Sequence, residues 1–146
     1  MEKSEIAVKF FDEGNSCAQS VLASYGDLVG LNEKEAFRIG AALGGGMGRK
    51  QFVCGAISAG VVLLGMKYGN SQPNDPENKE KTSIKVKEYI EECESVLGAT
   101  HCKDLLNIDL NNPDEKAKAN ANGLFARVCN NAVMQAGIIL EKHLEK

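Results

Sequence analysis

The sequence has no tryptophan, and aromatic residues make up only 5% of its 146 positions, so it lacks the strand-forming stock from which β-sandwich cores are usually drawn. Excess positive charge is missing as well. With 17 basic and 20 acidic residues the net charge is −3, which leaves nothing to pair with a phosphate backbone, and nucleic acid is not an expected partner. The N-terminus has no uninterrupted apolar stretch, because Glu2, Lys3, Glu5 and Lys9 are mixed among its apolar residues. An export signal is therefore not expected, and the expected location is the cytoplasm. The most apolar stretch, Val53 to Met66, is too short to cross a bilayer and is diluted by Gly55, Ser58, Gly60 and Gly65. It predicts a buried helix and no membrane partner. Internal repeats, low-complexity tracts and alternating strand patterns are absent.

What is present is ordinary globular material, 43% apolar and 25% charged, in a chain of one-domain length covering residues 1–146. A core of Ala, Val, Ile, Leu and Gly suits closely packed helices, and the predicted fold is an all-α bundle of five to seven helices. Ile6, Ala7, Phe10 and Phe11 follow helical spacing up to Gly14-Asn15. Asn15 or Ser16 caps a second helix that Gly26 closes, and Asn32 with Glu35 starts a third. After the loop Gly44-Gly45-Gly46-Met47-Gly48 comes the apolar helix from about Cys54 to Tyr68. Asp75-Pro76 opens a long charged helix that Gly98 ends, and Thr100 caps a short one holding Cys102. A last helical region, interrupted at Asn122-Gly123, carries Phe125, Val128, Cys129, Ala132, Val133 and Ala136 on one stripe.

The reactive residues are cysteines. Five of them, an odd number without an export signal, argue against a stapled extracellular framework and for free, catalytic or metal-bound thiols. Cys17, Cys54 and Cys102 each fall in the first turn of a predicted helix. Free backbone amides and the positive end of the helix dipole favour a thiolate there, which lowers the thiol pKa. Cys129 lies on an apolar stripe and taken alone reads as core. Cys93 stands among Glu91, Glu92 and Glu94, whose charge opposes a thiolate, and is set aside. The glycine loop lacks the lysine-serine ending of a phosphate loop and the dinucleotide spacing, and it follows a helix instead of a strand. Its expected use is to let backbone pass close to Cys54, with Arg49 and Lys50 favouring the Cys54 thiolate. Gly55, Ala56, Ala59 and Gly60 mark a face of close helix approach. His101 and His143 are expected at the surface.

Gly14-Asn15-Ser16-Cys17-Ala18, the glycine loop leading into Cys54-Gly55-Ala56-Ile57-Ser58-Ala59-Gly60, Cys102-Lys103-Asp104-Leu105-Leu106 and Cys129 together resemble the C-GCAxxG-C-C family. Its members are of similar length, common in anaerobic bacteria and archaea, and some are described as selenoproteins. The resemblance spans nearly the whole chain and implies redox chemistry at Cys17, Cys54, Cys102 and Cys129, with Cys93 outside the pattern. The segment from Cys54 to Gly60 has one more residue before its closing glycine than the family label has.

The leading expectation is a thiol oxidoreductase or thiol redox relay without a cofactor, acting on a redox partner or a small-molecule substrate. Cys54 is the first choice of nucleophile, Cys17 the second, and Cys102 and Cys129 are candidate resolving partners. No Cys-x-x-Cys pair occurs, so any disulfide must join different helices, and Cys17 and Cys54 should meet near the glycine loop with Cys102 or Cys129 close by. The alternative is that the same four cysteines ligate zinc or an iron–sulfur cluster, although intervals of 37, 48 and 27 residues contain none of the usual short ligand pairs. A non-enzymatic helical binding module is the third reading.

Overall fold

Helix starts follow from side chains that accept the first free amides. Ser16 Oγ accepts from Gln19 N at 3.2 Å and Gln19 Oε1 accepts from Ser16 N at 2.9 Å, a reciprocal capping box that fixes where helix α2 begins. Asn32 accepts from Glu35 N at 2.9 Å, and Asp75 from Asn78 N at 3.2 Å with Pro76 in the first helical position. In the computed structural model, which describes residues 1–145, these signals delimit α1 (Lys3–Asp12), α2 (Cys17–Tyr25), α3 (Glu33–Leu43), α4 (Gly55–Tyr68), α5 (Pro76–Leu97), α6 (Cys102–Leu106), α7 (Pro113–Asn122) and α8 (Leu124–Glu145). The all-α class is as expected, and no strand occurs among the described residues.

Among the described residues the helix count is eight, above the expected five to seven, because Gly123 separates α7 from α8 and the two axes are bent by 77°. Gly26 closes α2 as expected, and the chain tightens directly from it into a 3-10 turn over Gly26–Val29. Thr100 does not cap α6. His101 holds the cap position without a side-chain cap bond, and the Thr100 hydroxyl lies 3.0 Å from His101 Nδ1.

Helix α2 is central, with α1, α3, α4 and α8 against it. Val21, Leu22 and Tyr25 of α2, Ile57, Leu63 and Leu64 of α4, and Val133 and Leu140 of α8 are fully buried in one contiguous core. Burying each such side chain contributes about 1.5–3 kcal/mol before entropy is charged against it. Helix α4 is buried on most of its surface, which is why its sequence is apolar almost throughout. No single helix among the described residues is long and apolar enough to cross a membrane.

His143 corrects a surface expectation. Its position in the last turn of α8 packs it on α5, where Glu92 Oε1 meets its Nε2 at 3.0 Å and the Tyr89 ring meets it edge-on, and it is only 2% exposed. His101 is exposed, as expected.

Candidate functional site

The site is built by two short pieces of chain that the glycine loop and α6 bring side by side. Residues 51–54 run antiparallel to 100–103. Cys54 N donates to Thr100 O at 2.8 Å, Cys102 N to Phe52 O at 2.7 Å and Lys103 N to Gln51 O at 3.2 Å. That pairing delivers Cys54 to the start of α4 and Cys102 to the start of α6 on the same side of the molecule. The preceding loop is unusual, since Gly45 to Arg49 are five consecutive residues with positive φ, two of them, Met47 and Arg49, not glycine. Left-handed backbone of this kind costs roughly 1–2 kcal/mol per non-glycine residue. At Gly46 the reason for glycine is also steric: an added Cβ would stand 2.6 Å from Phe52 N and 2.7 Å from Gln51 Cα.

Gln51 holds this arrangement together. It has φ +59 and is buried, its Nε2 donates to Ile108 O at 2.7 Å, and its Oε1 accepts from Leu110 N at 2.9 Å. One side chain thus ties the glycine loop to the segment after α6. Gln51→Ala leaves both backbone groups unpaired and is expected to lower stability by about 2 kcal/mol. A urea titration checks this: the midpoint should fall, and an unchanged midpoint would show that water satisfies both groups.

Cys17, Cys54, Cys102 and Cys129 all line one cavity of about 160 Å³. Cys17 is the first residue of α2, Cys54 the cap residue of α4, Cys102 the first residue of α6, and Cys129 sits in the second turn of α8. All four are free thiols; Cys54 and Cys102 are buried, whereas Cys17 and Cys129 are half-buried. Phe11, Leu105, Phe125 and Val128 supply apolar wall, and Gly45 and Gly46 bring backbone to its edge. No Lys, Arg, His, Asp or Glu is among the lining residues. Cys93 lies elsewhere, fully buried, with its thiol pushed up to about 12 chiefly by that burial.

Only one of the three cysteines expected to be acidic is so. Cys54 is held down to about 7, first because the Cys17 thiol donates to its sulfur and then because the Ala56 and Ile57 amides at the start of α4 face it; burial opposes both. Arg49 and Lys50, expected to help, are exposed and do not line the cavity. Cys17 is instead pushed well up, by its contacts with Cys129 and Cys54 and by burial. Cys102 is raised to about 12 by burial and by the Cys54 and Cys129 charges, despite its place at a helix start. One thiolate in a confined space makes a second unfavourable, so the site favours a single anion.

Among the described residues no three side chains of His, Cys, Asp or Glu are arranged to hold a metal ion. The arrangement is suited to thiolate attack from Cys54, with Cys17, held protonated, lining the same cavity. Sequence reasoning missed Gln51 because its role depends on partners 57 and 59 residues away; a polar residue directly after a glycine-rich loop was the available signal. No curated protein and no solved structure matches the chain. The family model described as "Putative redox-active protein (C_GCAxxG_C_C)" matches residues 15–143, a span that holds all four cavity cysteines, and the chain belongs to that family.

Proposed function

We propose that this chain is a thiol oxidoreductase of the cytoplasm that uses only its own cysteines. The Cys54 thiolate attacks an oxidised substrate, and Cys17 resolves the adduct as a Cys54–Cys17 disulfide. Cys129 and Cys102, which line the same cavity, stand ready to accept that disulfide by exchange. The observation that carries this reading is that Cys54 shares one small apolar cavity with Cys17, Cys102 and Cys129, where Cys54 is the thiol held down and Cys17 is pushed up. A thiolate is the attacking species in exchange, and a nucleophile with pKa near ambient pH is close to the optimum.

Anaerobic purification followed by metal analysis and thiol counting tests it. The expected result is a colourless protein with little iron or zinc, whose thiols disappear in pairs on mild oxidation, because each disulfide consumes two. Stoichiometric metal that shields the four cavity cysteines from alkylation until a chelator is added would instead establish a ligand role, since a coordinated thiolate has its lone pair committed. Absence of both metal and a fast-reacting thiol would leave a helical binding module as the better account.

A further inference from the structure

Resting on the thiol reading above, we propose that the oxidised substrate is a small, uncharged, apolar disulfide, about the size of diethyl disulfide. Three observations carry this. First, the cavity that exposes Cys54 measures about 160 Å³. A protein cavity of about 150 Å³ takes up benzene, so roughly six non-hydrogen atoms fit inside this one, whose mouth opens to solvent. Second, its lining includes no charged side chain, and its walls are Phe11, Leu105, Phe125 and Val128 beside the cysteines. A charged group placed inside the cavity would lose hydration and find no counter-charge, a penalty that disfavours disulfides whose carboxylates or ammonium groups lie close to the sulfurs. Third, no Lys, Arg or His lines the cavity to polarise or protonate a leaving oxygen. An alkanethiolate, although more basic than a cysteine thiolate, is still a far weaker base than an alkoxide and departs more readily, which favours S–S over O–O cleavage.

The chemistry balances without a further reagent. Cys54 sulfur forms a bond to one sulfur of R–S–S–R, the S–S bond breaks, and RS⁻ leaves and takes up a proton. Cys17 then attacks the Cys54 sulfur of the mixed disulfide, releases the second RS⁻, and gives up its own proton to it. The substrate is reduced to two RSH, and Cys54 and Cys17 are oxidised to one disulfide.

The test compares diethyl disulfide, the dianion 3,3′-dithiodipropionate and the dication cystamine against the wild-type chain at neutral pH, each rate divided by that for a free thiol of matched pKa. Diethyl disulfide should react at least about a hundredfold faster than either charged reagent on this scale. It should release two ethanethiols per chain, and Cys17→Ser should stop at one, leaving an ethylsulfanyl group in a mixed disulfide on Cys54 visible in the intact mass. Equal normalised rates for all three, or faster oxidation by tert-butyl hydroperoxide, would overturn the substrate class while leaving the thiol chemistry standing. Rapid alkylation of Cys54 without any reaction with diethyl disulfide would overturn it too. If Cys54 is not rapidly alkylated by iodoacetamide at all, the thiol reading itself has failed and this inference goes with it.

Discussion

Cys17→Ala is expected to slow alkylation of Cys54 at pH 7 by about tenfold or more and to move the midpoint of its pH profile upward from about 7. The sign follows from the order of causes. The Cys17 thiol is the largest influence lowering Cys54, the Ala56 and Ile57 amides are smaller, and burial works against all of them. With Cys17 removed, only the amides oppose burial, and a thiol near its ordinary value of about 8.5 is only a few per cent ionised at neutral pH. Cys17→Ser discriminates between a donor and a filler, because a hydroxyl still donates to the sulfur and should keep most of the acid shift. Iodoacetamide rates across pH, with the labelled cysteine identified by mass spectrometry, provide the measurement. An unchanged profile in Cys17→Ala would show that the helix start alone acidifies Cys54. A profile equally displaced in both variants would point to altered packing.

Gly60→Ala is expected to be strongly destabilising, lowering stability by about 3 kcal/mol and the melting temperature by roughly 10 °C. A Cβ at Gly60 would stand 2.1 Å from Tyr89 Oη and 2.4 Å from its Cζ. Tyr89 cannot yield cheaply: it is fully buried on α5, its ring packs on His143, and its hydroxyl reaches toward the Ala56 carbonyl at 3.5 Å. Helices α4 and α5 must therefore separate. Gly65, in the same helix, is the internal control, since nothing lies within 4 Å of an added Cβ there. Gly65→Ala should be neutral or stabilising by up to about 1 kcal/mol, because alanine loses less backbone entropy in a helix. Thermal melts followed by circular dichroism decide the matter, and similar melting temperatures for the two variants would refute the steric account. Adding Tyr89→Leu to Gly60→Ala should recover part of the loss, because the shorter side chain vacates the contested space.

The Gly60 contact also explains a reading of the sequence that was correct in kind and incomplete in detail. Gly55, Ala56, Ala59 and Gly60 do mark close approaches, but to two different partners: an added Cβ at Gly55 would meet Ala18 N of α2 at 3.0 Å, while Gly60 faces Tyr89 of α5. Small residues announce that something comes near without saying what. His143 was misread for the related reason that a histidine in a final helical turn is usually solvated. Only the docking of α8 on α5 buries it, against Glu92 and Tyr89.

Helix positions were legible in the sequence by itself because their causes are local. Ser16 with Gln19, Asn32 with Glu35, and Asp75 with Pro76 act within one turn, and apolar spacing then dictates which face goes inward. The all-α class and membership of the family were legible at that level too. The site was decided by tertiary structure. Cys17, Cys54, Cys102 and Cys129 share a cavity because residues 51–54 pair with 100–103 while α2 and α8 pack alongside, contacts between residues far apart in the chain. Their acidities were decided there as well. Position at a helix start favours a thiolate at each of Cys17, Cys54 and Cys102 when each is considered alone, yet in one small apolar cavity the charge on Cys54 raises the cost of charge on its neighbours, and burial penalises every anion not held by a donor.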